Sequence, residues 1–125
     1  MNNRPLSPHI QIYKVQVTSF FSFMHRLTGI LLFFLLTVFS WYFVLRFYFP
    51  GSFIVRCLDI LLSGFIAKLI YIICFISFLY HVLNGVRHLL WDAGFNLEIT
   101  SASKSAVILT IILLFSTIVF LFTAI

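Results

Sequence analysis

Two groups of polar residues in an otherwise apolar chain have the types and the spacing of binding sites. The first group lies on one face of a helix, at offsets of 0, 3, 4 and 7 residues, and consists of Ser22, His25, Arg26 and Gly29. Ser22 and Arg26 are one turn apart and can reach the same carbonyl oxygen, and Gly29 lets a flat group approach the backbone. The His25–Arg26 pair also fits an interfacial anchor whose charge reaches the lipid headgroups. The pattern leaves a carbonyl-binding site and a lipid anchor as alternatives.

The second group lies on one face of a later helix, at offsets of 0, 3, 4, 7 and 11 residues, and consists of His81, Asn84, Gly85, His88 and Asp92. His81 follows a strongly apolar stretch, so we expect it deepest in the membrane. A neutral imidazole there fits a metal ligand, a proton relay or a packing residue. Gly85, one turn away, removes the side chain that would collide with a macrocycle lying against the helix. Together His81 and Gly85 favour a haem site.

One helix cannot supply both ligands of a haem iron in this sequence. His88 follows His81 by seven residues, which is about 10.5 Å along a helix axis. A second axial histidine must therefore come from another helix, either as His25 or from a second polypeptide. Arg87 and His88 are better positioned to meet haem propionates or interfacial water. Asp92 is expected to pair with one of these two side chains.

The composition indicates that these polar groups lie in a membrane. The 125-residue chain is 62% hydrophobic and 9% charged, and its mean hydropathy is +1.15, whereas a soluble domain carries about 25% charged residues. Much of the surface must therefore contact lipid or other protein. We interpret the formal net charge of +5 as a topology signal rather than as affinity for nucleic acid. The two cysteines, Cys57 and Cys74, are expected to be small apolar residues.

Three segments are long and apolar enough to cross a hydrocarbon layer of ~30 Å. We expect helices over about 22–49, 58–91 and 105–125, within one transmembrane domain over 19–125 that follows a surface arm over 1–18. A Pro-Gly pair ends the first helix, because proline cannot continue it. The predicted fold is an all-α membrane protein with three transmembrane helices in an antiparallel bundle.

The basic residues predict the orientation of this bundle. Those on the N-terminal side and in the second loop are Arg4, Lys14, Arg26, Arg87 and Lys104. The side of the first loop has Arg46 and Arg56, and Lys68 lies near the start of the second span. By the positive-inside rule, the N-terminus is expected on the cytoplasmic or matrix side.

Three motifs occur in an order that is typical of one family. Residues 4–14 (RPLSPHIQIYK) look like the opening of a succinate dehydrogenase anchor subunit. Residues 22–29 (SFMHRLTG) match the motif S-x-x-H-R-x-[ST]-G, and residues 81–92 (HVLNGVRHLLWD) match H-x-x-x-G-x-R-H-x-x-x-D. The sequence therefore resembles the cytochrome b large membrane-anchor subunit of succinate dehydrogenase, which belongs to respiratory complex II.

The resemblance implies a role for individual side chains. His81 matches the axial ligand of haem b, and the opposite histidine comes from the small membrane-anchor subunit. Ser22 and Arg26 match residues that line the ubiquinone site. His25 and Arg26 match residues near the haem propionates, and His88 lies in the same polar layer. Gly85 would pack against the haem.

The resemblance also implies a place in a complex. The chain would pass electrons from an iron–sulfur subunit, which caps the site, to ubiquinone, while succinate is oxidised on a flavoprotein subunit. The anchor of a quinol:fumarate reductase and a haem-free assembly or scaffold subunit remain alternatives. The short start before Arg4 is similar to alphaproteobacterial or mitochondrion-encoded members. That similarity predicts a multi-pass protein of a bacterial or mitochondrial inner membrane.

Overall fold

Helices form the regular structure of residues 15–95 and 97–124, which are the residues described in this computed structural model. They are α1 (Val17–Tyr48), α2 (Phe53–Leu61), α3 (Phe65–Asp92) and α4 (Ile99–Ala124). The described residues contain no strand. Three of the helices, α1, α3 and α4 as far as Thr123, are long and apolar enough to cross a membrane. The prediction of an all-α membrane protein with three spanning helices is confirmed.

The helix boundaries differ from the expected ones in two places. The segment treated as one helix over 58–91 is divided between α2 and α3 by a turn at 62–64. α2 has its own N-cap, because Ser52 Oγ accepts a hydrogen bond from the backbone N–H of Val55 at 3.3 Å. At the other end of the chain, α1 already begins at Val17, so the last two residues of the expected arm are helical. Residues 1–14 of that arm lie outside the described residues.

The C-terminal end of α3 is closed by a Schellman motif. Gly94 has a φ of 85°, in the left-handed region that favours glycine. The N–H of Gly94 donates to the carbonyl of Trp91, and the N–H of Phe95 donates to the carbonyl of Leu90, both at 2.9 Å. These bonds satisfy carbonyl groups that a helix end otherwise leaves free. The last turns of α3, which carry the second polar group, therefore have a defined end.

The polar residues lie where the start of α1 meets the end of α3. Tyr80 Oη donates to the carbonyl of Phe21 at 2.8 Å across this contact. α4 packs beside both helices through buried small residues, among them Ala102 and Ala106, as is common between membrane helices. The large apolar side chains on the outer faces remain exposed, which suits a lipid environment. This packing turns the two polar groups of the sequence toward each other.

Candidate functional site

An open groove of about 640 Å³ lies on the surface formed by α1 and α3, within the size range of ligand-binding clefts. Its lining includes six of the nine residues in the two polar groups, and they are the six to which the resemblance assigns a role: Ser22, His25, Arg26, His81, Gly85 and His88. A second open groove of about 440 Å³ adjoins it and has Ser22, Arg26, His88 and Trp91 in its wall. The two grooves share three polar residues, so groups bound in them would lie side by side.

The two helices meet through a reciprocal packing of histidine on glycine. The rings of His25 and His81 are stacked, with centroids 4.0 Å apart and planes 7° from parallel. A Cβ atom on Gly29 would lie 3.0 Å from Cε1 of His81, and one on Gly85 would lie 3.5 Å from Cε1 of His25. Each histidine therefore lies over the glycine of the opposite helix. The flat group that lies against the backbone at Gly29 is the imidazole of His81.

Hydrogen bonds fix the protonation of the His81 ring. Its Nδ1 lies 3.1 Å from the carbonyl oxygen of His25 and 3.3 Å from Oγ1 of Thr28. A carbonyl can only accept a hydrogen bond, so Nδ1 carries the proton. The Thr28 hydroxyl donates to backbone carbonyls of its own helix at 2.9 and 3.0 Å, which leaves its oxygen free to accept from Nδ1. Nε2 of His81 therefore keeps a lone pair, and it has no hydrogen-bond partner in the described part of the chain.

This arrangement of His81 fits a metal ligand. A metal-binding histidine usually donates its other ring N–H to a carbonyl or carboxylate, which orients the ring and raises its basicity. His81 has that partner, a free lone pair and a place in the groove wall. The residues present thus fit a group that takes one imidazole ligand, as haem does.

His25 differs from His81 and does not fit the second ligand position. Its Nδ1 atom is buried, and no hydrogen-bond partner for it exists among the described residues. Two ligands of one iron must point at it from opposite sides, whereas stacked rings present parallel edges. In this arrangement His25 packs on His81 and does not face it across a shared ligand position.

The side chains of Ser22 and Arg26 are available to a ligand. Ser22 is half-buried and Arg26 is exposed, and both line the two grooves. Neither makes a hydrogen bond or ion pair with another residue in 15–95 or 97–124. An exposed guanidinium beside a hydroxyl offers a fixed positive charge and several donors to a carbonyl oxygen.

Arg87 does not face the groove, which corrects the expectation that it meets propionates or water. Its side chain is 5% exposed and turned toward α4. Nε donates to Ser105 Oγ at 2.9 Å, and Nη2 donates to the carbonyl of Ala102 at 2.6 Å. The guanidinium also lies over the ring of Trp91, 4.4 Å from its centroid. Arg87 therefore ties α3 to α4.

Asp92 likewise lacks the expected partner. Among the described residues it makes no ion pair with Arg87 or with His88. Within the same residues the ion pair that does form is between Arg46 of α1 and Asp59 of α2. Asp59 also accepts a hydrogen bond from Tyr42 at 2.8 Å. That cluster connects α1 to α2, away from the groove.

Sequence reasoning assigned no role to three residues that shape the site. Thr28 contacts His81, and Tyr80 and Asn84 both bond to the carbonyl of Phe21, at 2.8 and 3.2 Å. Thr28 was visible only as a position in the S-x-x-H-R-x-[ST]-G motif, and Asn84 only as a member of a polar helix face. Their partners lie on another helix, and no spacing within one helix identifies them.

Comparisons with known proteins point to one family. A family model described as "Succinate dehydrogenase/Fumarate reductase transmembrane subunit" matches residues 1–120. A succinate dehydrogenase cytochrome b556 subunit of Rickettsia bellii (strain RML369-C) is 38% identical over 104 residues, which covers 82% of this chain and 78% of the relative. The cytochrome b556 subunit of Paracoccus denitrificans is 38% identical over 104 residues, or 83% and 78% of the two chains. The cytochrome b560 subunit of Marchantia polymorpha is 40% identical over 119 residues, or 86% and 80%.

Proposed function

This chain belongs to the family of succinate dehydrogenase/fumarate reductase transmembrane subunits, and we propose that it binds haem b and ubiquinone within a succinate dehydrogenase. As a membrane-anchor subunit it is one part of an oxidoreductase complex, in a multi-pass arrangement in an inner membrane. Its proposed task is to deliver electrons from the iron–sulfur subunit to ubiquinone. The relatives named succinate dehydrogenase cytochrome b subunits support this direction of the reaction.

The observation that carries the haem assignment is the hydrogen bonding of His81. The ring donates through Nδ1 to the carbonyl of His25 and has a lone pair on Nε2. The resemblance implies that a second histidine would come from the small membrane-anchor subunit, and the stacking of His25 on His81 is compatible with that source. When bound, haem b would supply one-electron transfer, and His81 would hold it through Nε2. Gly85 and His25 form part of the wall against which such a group would lie.

The proposed ubiquinone site is the part of the groove around Ser22 and Arg26. A quinone carbonyl gains negative charge as it is reduced, and a fixed guanidinium stabilises that charge. The Ser22 hydroxyl can donate a hydrogen bond to the same oxygen. Because His88 lies in the wall of both grooves, it belongs to the polar layer between the quinone and the haem propionates.

The topology proposed for the membrane is an antiparallel bundle with the N-terminus on the cytoplasmic or matrix side. Contacts between early α1 residues and late α3 residues, such as Phe21 with Asn84, support opposite directions for these helices. The excess of basic residues on the N-terminal side supports the orientation. The iron–sulfur subunit would then cap the site around Ser22 and Arg26 from that side, and the flavoprotein subunit would be a partner through the complex.

Substitution of Arg26 by Leu tests the quinone site in the purified complex. We expect ubiquinone reduction to fall at least tenfold, because the positive charge that favours the reduced quinone is lost. Succinate oxidation by a soluble dye should stay near normal, since it does not use this chain's site. Arg56→Leu on α2, which is equally exposed, is the matched control and should retain both activities.

Two outcomes would reject the proposal. Equal loss of dye and ubiquinone activity in Arg26→Leu would indicate misassembly rather than a lost quinone contact. A complex with no b-type band in a reduced-minus-oxidised spectrum would favour a haem-free scaffold.

The alternative of a quinol:fumarate reductase needs a separate measurement. Turnover of the complex in both directions, with ubiquinone and with menaquinone, distinguishes succinate oxidation from fumarate reduction.

A further inference from the structure

The amide of Asn84 is completely buried and has one possible orientation. The side chain is 0% exposed, and it lies between the carbonyl oxygen of Phe21, 3.2 Å from Nδ2, and Nη1 of Arg87, 3.3 Å from Oδ1. A carbonyl only accepts and a guanidinium only donates. Both partners therefore require Nδ2 to face Phe21 and Oδ1 to face Arg87, because the flipped amide would lose both bonds.

This orientation determines where His88 carries its proton. The second hydrogen of Asn84 Nδ2 points to Nε2 of His88, at 3.4 Å. If Nε2 were protonated, two donors would face each other inside the protein, and neither would have a partner. Nε2 must therefore accept the bond. His88 is then neutral, with its proton on Nδ1.

We infer that Asn84 is a positioning residue that holds His88 neutral with its proton on Nδ1, so that His88 donates a hydrogen bond to an oxygen in the groove. Nδ1 has no partner within residues 15–95 and 97–124, and His88 lines both grooves. The identity of this oxygen rests on the proposed function: it belongs either to a quinone carbonyl or to a haem propionate. Arg87 acts one step further away, since it fixes the amide that fixes the histidine.

Replacement of Asn84 by Asp moves the proton with little change in shape. A carboxylate keeps the interaction with Arg87 and loses the bond to the Phe21 carbonyl. It can only accept from His88, so Nε2 must become protonated. A matched pair at His88 gives a second test that leaves Asn84 intact. His88→Asn keeps an amide near the position of Nδ1, whereas His88→Gln extends it toward the position of Nε2. Thr37→Val, on the exposed part of α1, is the control.

The proton position is measured directly by solid-state 15N spectra of the whole complex labelled at histidine. The His88 signals are those that disappear in His88→Asn. We expect a protonated Nδ1 and a bare Nε2 in the unsubstituted complex, and a protonated Nε2 in Asn84→Asp. A protonated Nε2 in the unsubstituted complex would overturn the inference.

Kinetics and potentiometry on the same complexes identify the acceptor. If the acceptor is a quinone carbonyl, Asn84→Asp and His88→Gln raise the KM for ubiquinone about threefold to tenfold, which corresponds to the loss of one hydrogen bond. His88→Asn keeps a donor near Nδ1 and raises the KM less. With a propionate as acceptor, the same order of effects appears in the haem midpoint potential and the KM stays constant. Unchanged values of both, or a smaller effect in His88→Gln than in His88→Asn, would overturn the donor role. A complex that lacks both haem and quinone reduction would reject the proposed function and leave the 15N result valid.

Discussion

Two four-residue spacings of histidine and glycine, 25–29 on α1 and 81–85 on α3, are alike in sequence and unlike in structure. They pack on each other, with stacked rings and each ring over the other helix's glycine. His81 donates through Nδ1 to a carbonyl and keeps a free lone pair, whereas Nδ1 of His25 is buried with no partner among the described residues. The same spacing thus gives one histidine, His81, whose ring is oriented by a hydrogen bond, and one histidine, His25, whose ring has no such bond.

The difference comes from what the neighbouring helix offers to each ring. α1 presents the carbonyl of His25 and the hydroxyl of Thr28 to His81. At the corresponding position three residues after His81, α3 carries Asn84, whose amide is already engaged with Phe21 and Arg87. Ligand character therefore depends on the partners of the second ring nitrogen, and a histidine–glycine spacing alone does not identify it.

The largest effect is expected from exchanging the two histidines for alanine, one at a time. His81→Ala should abolish the b-type band in a reduced-minus-oxidised spectrum, because it removes the oriented Nε2. His25→Ala should retain most of the band, because the His25 ring lines the groove and is not the proposed ligand. Loss of the band in His25→Ala, with His81→Ala unaffected, would reverse the comparison.

Substitution of the two glycines by alanine should change stability by different amounts, and this difference should be smaller than that between the two histidine variants. A methyl group on Gly29 would lie 3.0 Å from His81, so Gly29→Ala forces that ring to move, at a cost of about 1–3 kcal/mol. On Gly85 the methyl group makes an ordinary contact at 3.5 Å, and alanine gains about 1 kcal/mol of helix propensity. In the haem-depleted complex, the midpoint of thermal unfolding followed by circular dichroism should fall for Gly29→Ala and stay level or rise for Gly85→Ala. The haem content of the complete complex should fall for Gly85→Ala, because the added methyl group would meet the macrocycle. Equal shifts would mean that the reciprocal packing does not distinguish the helices.

Substitution of Thr28 by Val should give the smallest effect. It removes one acceptor of His81 Nδ1 but leaves the carbonyl of His25, so about 1 kcal/mol is lost. We expect haem to dissociate from the complex roughly fivefold faster, which transfer to a haem acceptor protein measures. Thr110→Val, which loses a hydrogen bond within α4 only, should leave the rate unchanged. If both variants release haem equally fast, Thr28 does not orient His81.

The sequence predicted what depends on regular repeats. Hydropathy identified three spans, because ~20 apolar residues have few other uses, and offsets of three and four placed each polar group on one helix face. The boundary between α2 and α3 escaped prediction. Ser63 and Gly64 interrupt a continuous apolar stretch, and neither residue type by itself ends a helix.

The remaining differences arise from contacts between helices. Arg87 and His88 are adjacent in sequence, yet one binds α4 and the other lines the groove. Successive helical residues point about 100° apart, so only the position of α4 decides which of them is buried. The stack of His25 on His81 depends in the same way on the register of α1 against α3.

Arg87 has a consequence for the order of membrane insertion. Its guanidinium bonds to Ser105 and to the carbonyl of Ala102, and both belong to α4, which leaves the ribosome after α3. Until that helix arrives, a charged group near the end of α3 has no protein partner for two of its donors and must stay close to the headgroups or water. In a chain truncated before Ile99, we therefore expect the C-terminal end of α3 to lie closer to the aqueous phase than it does in the full chain.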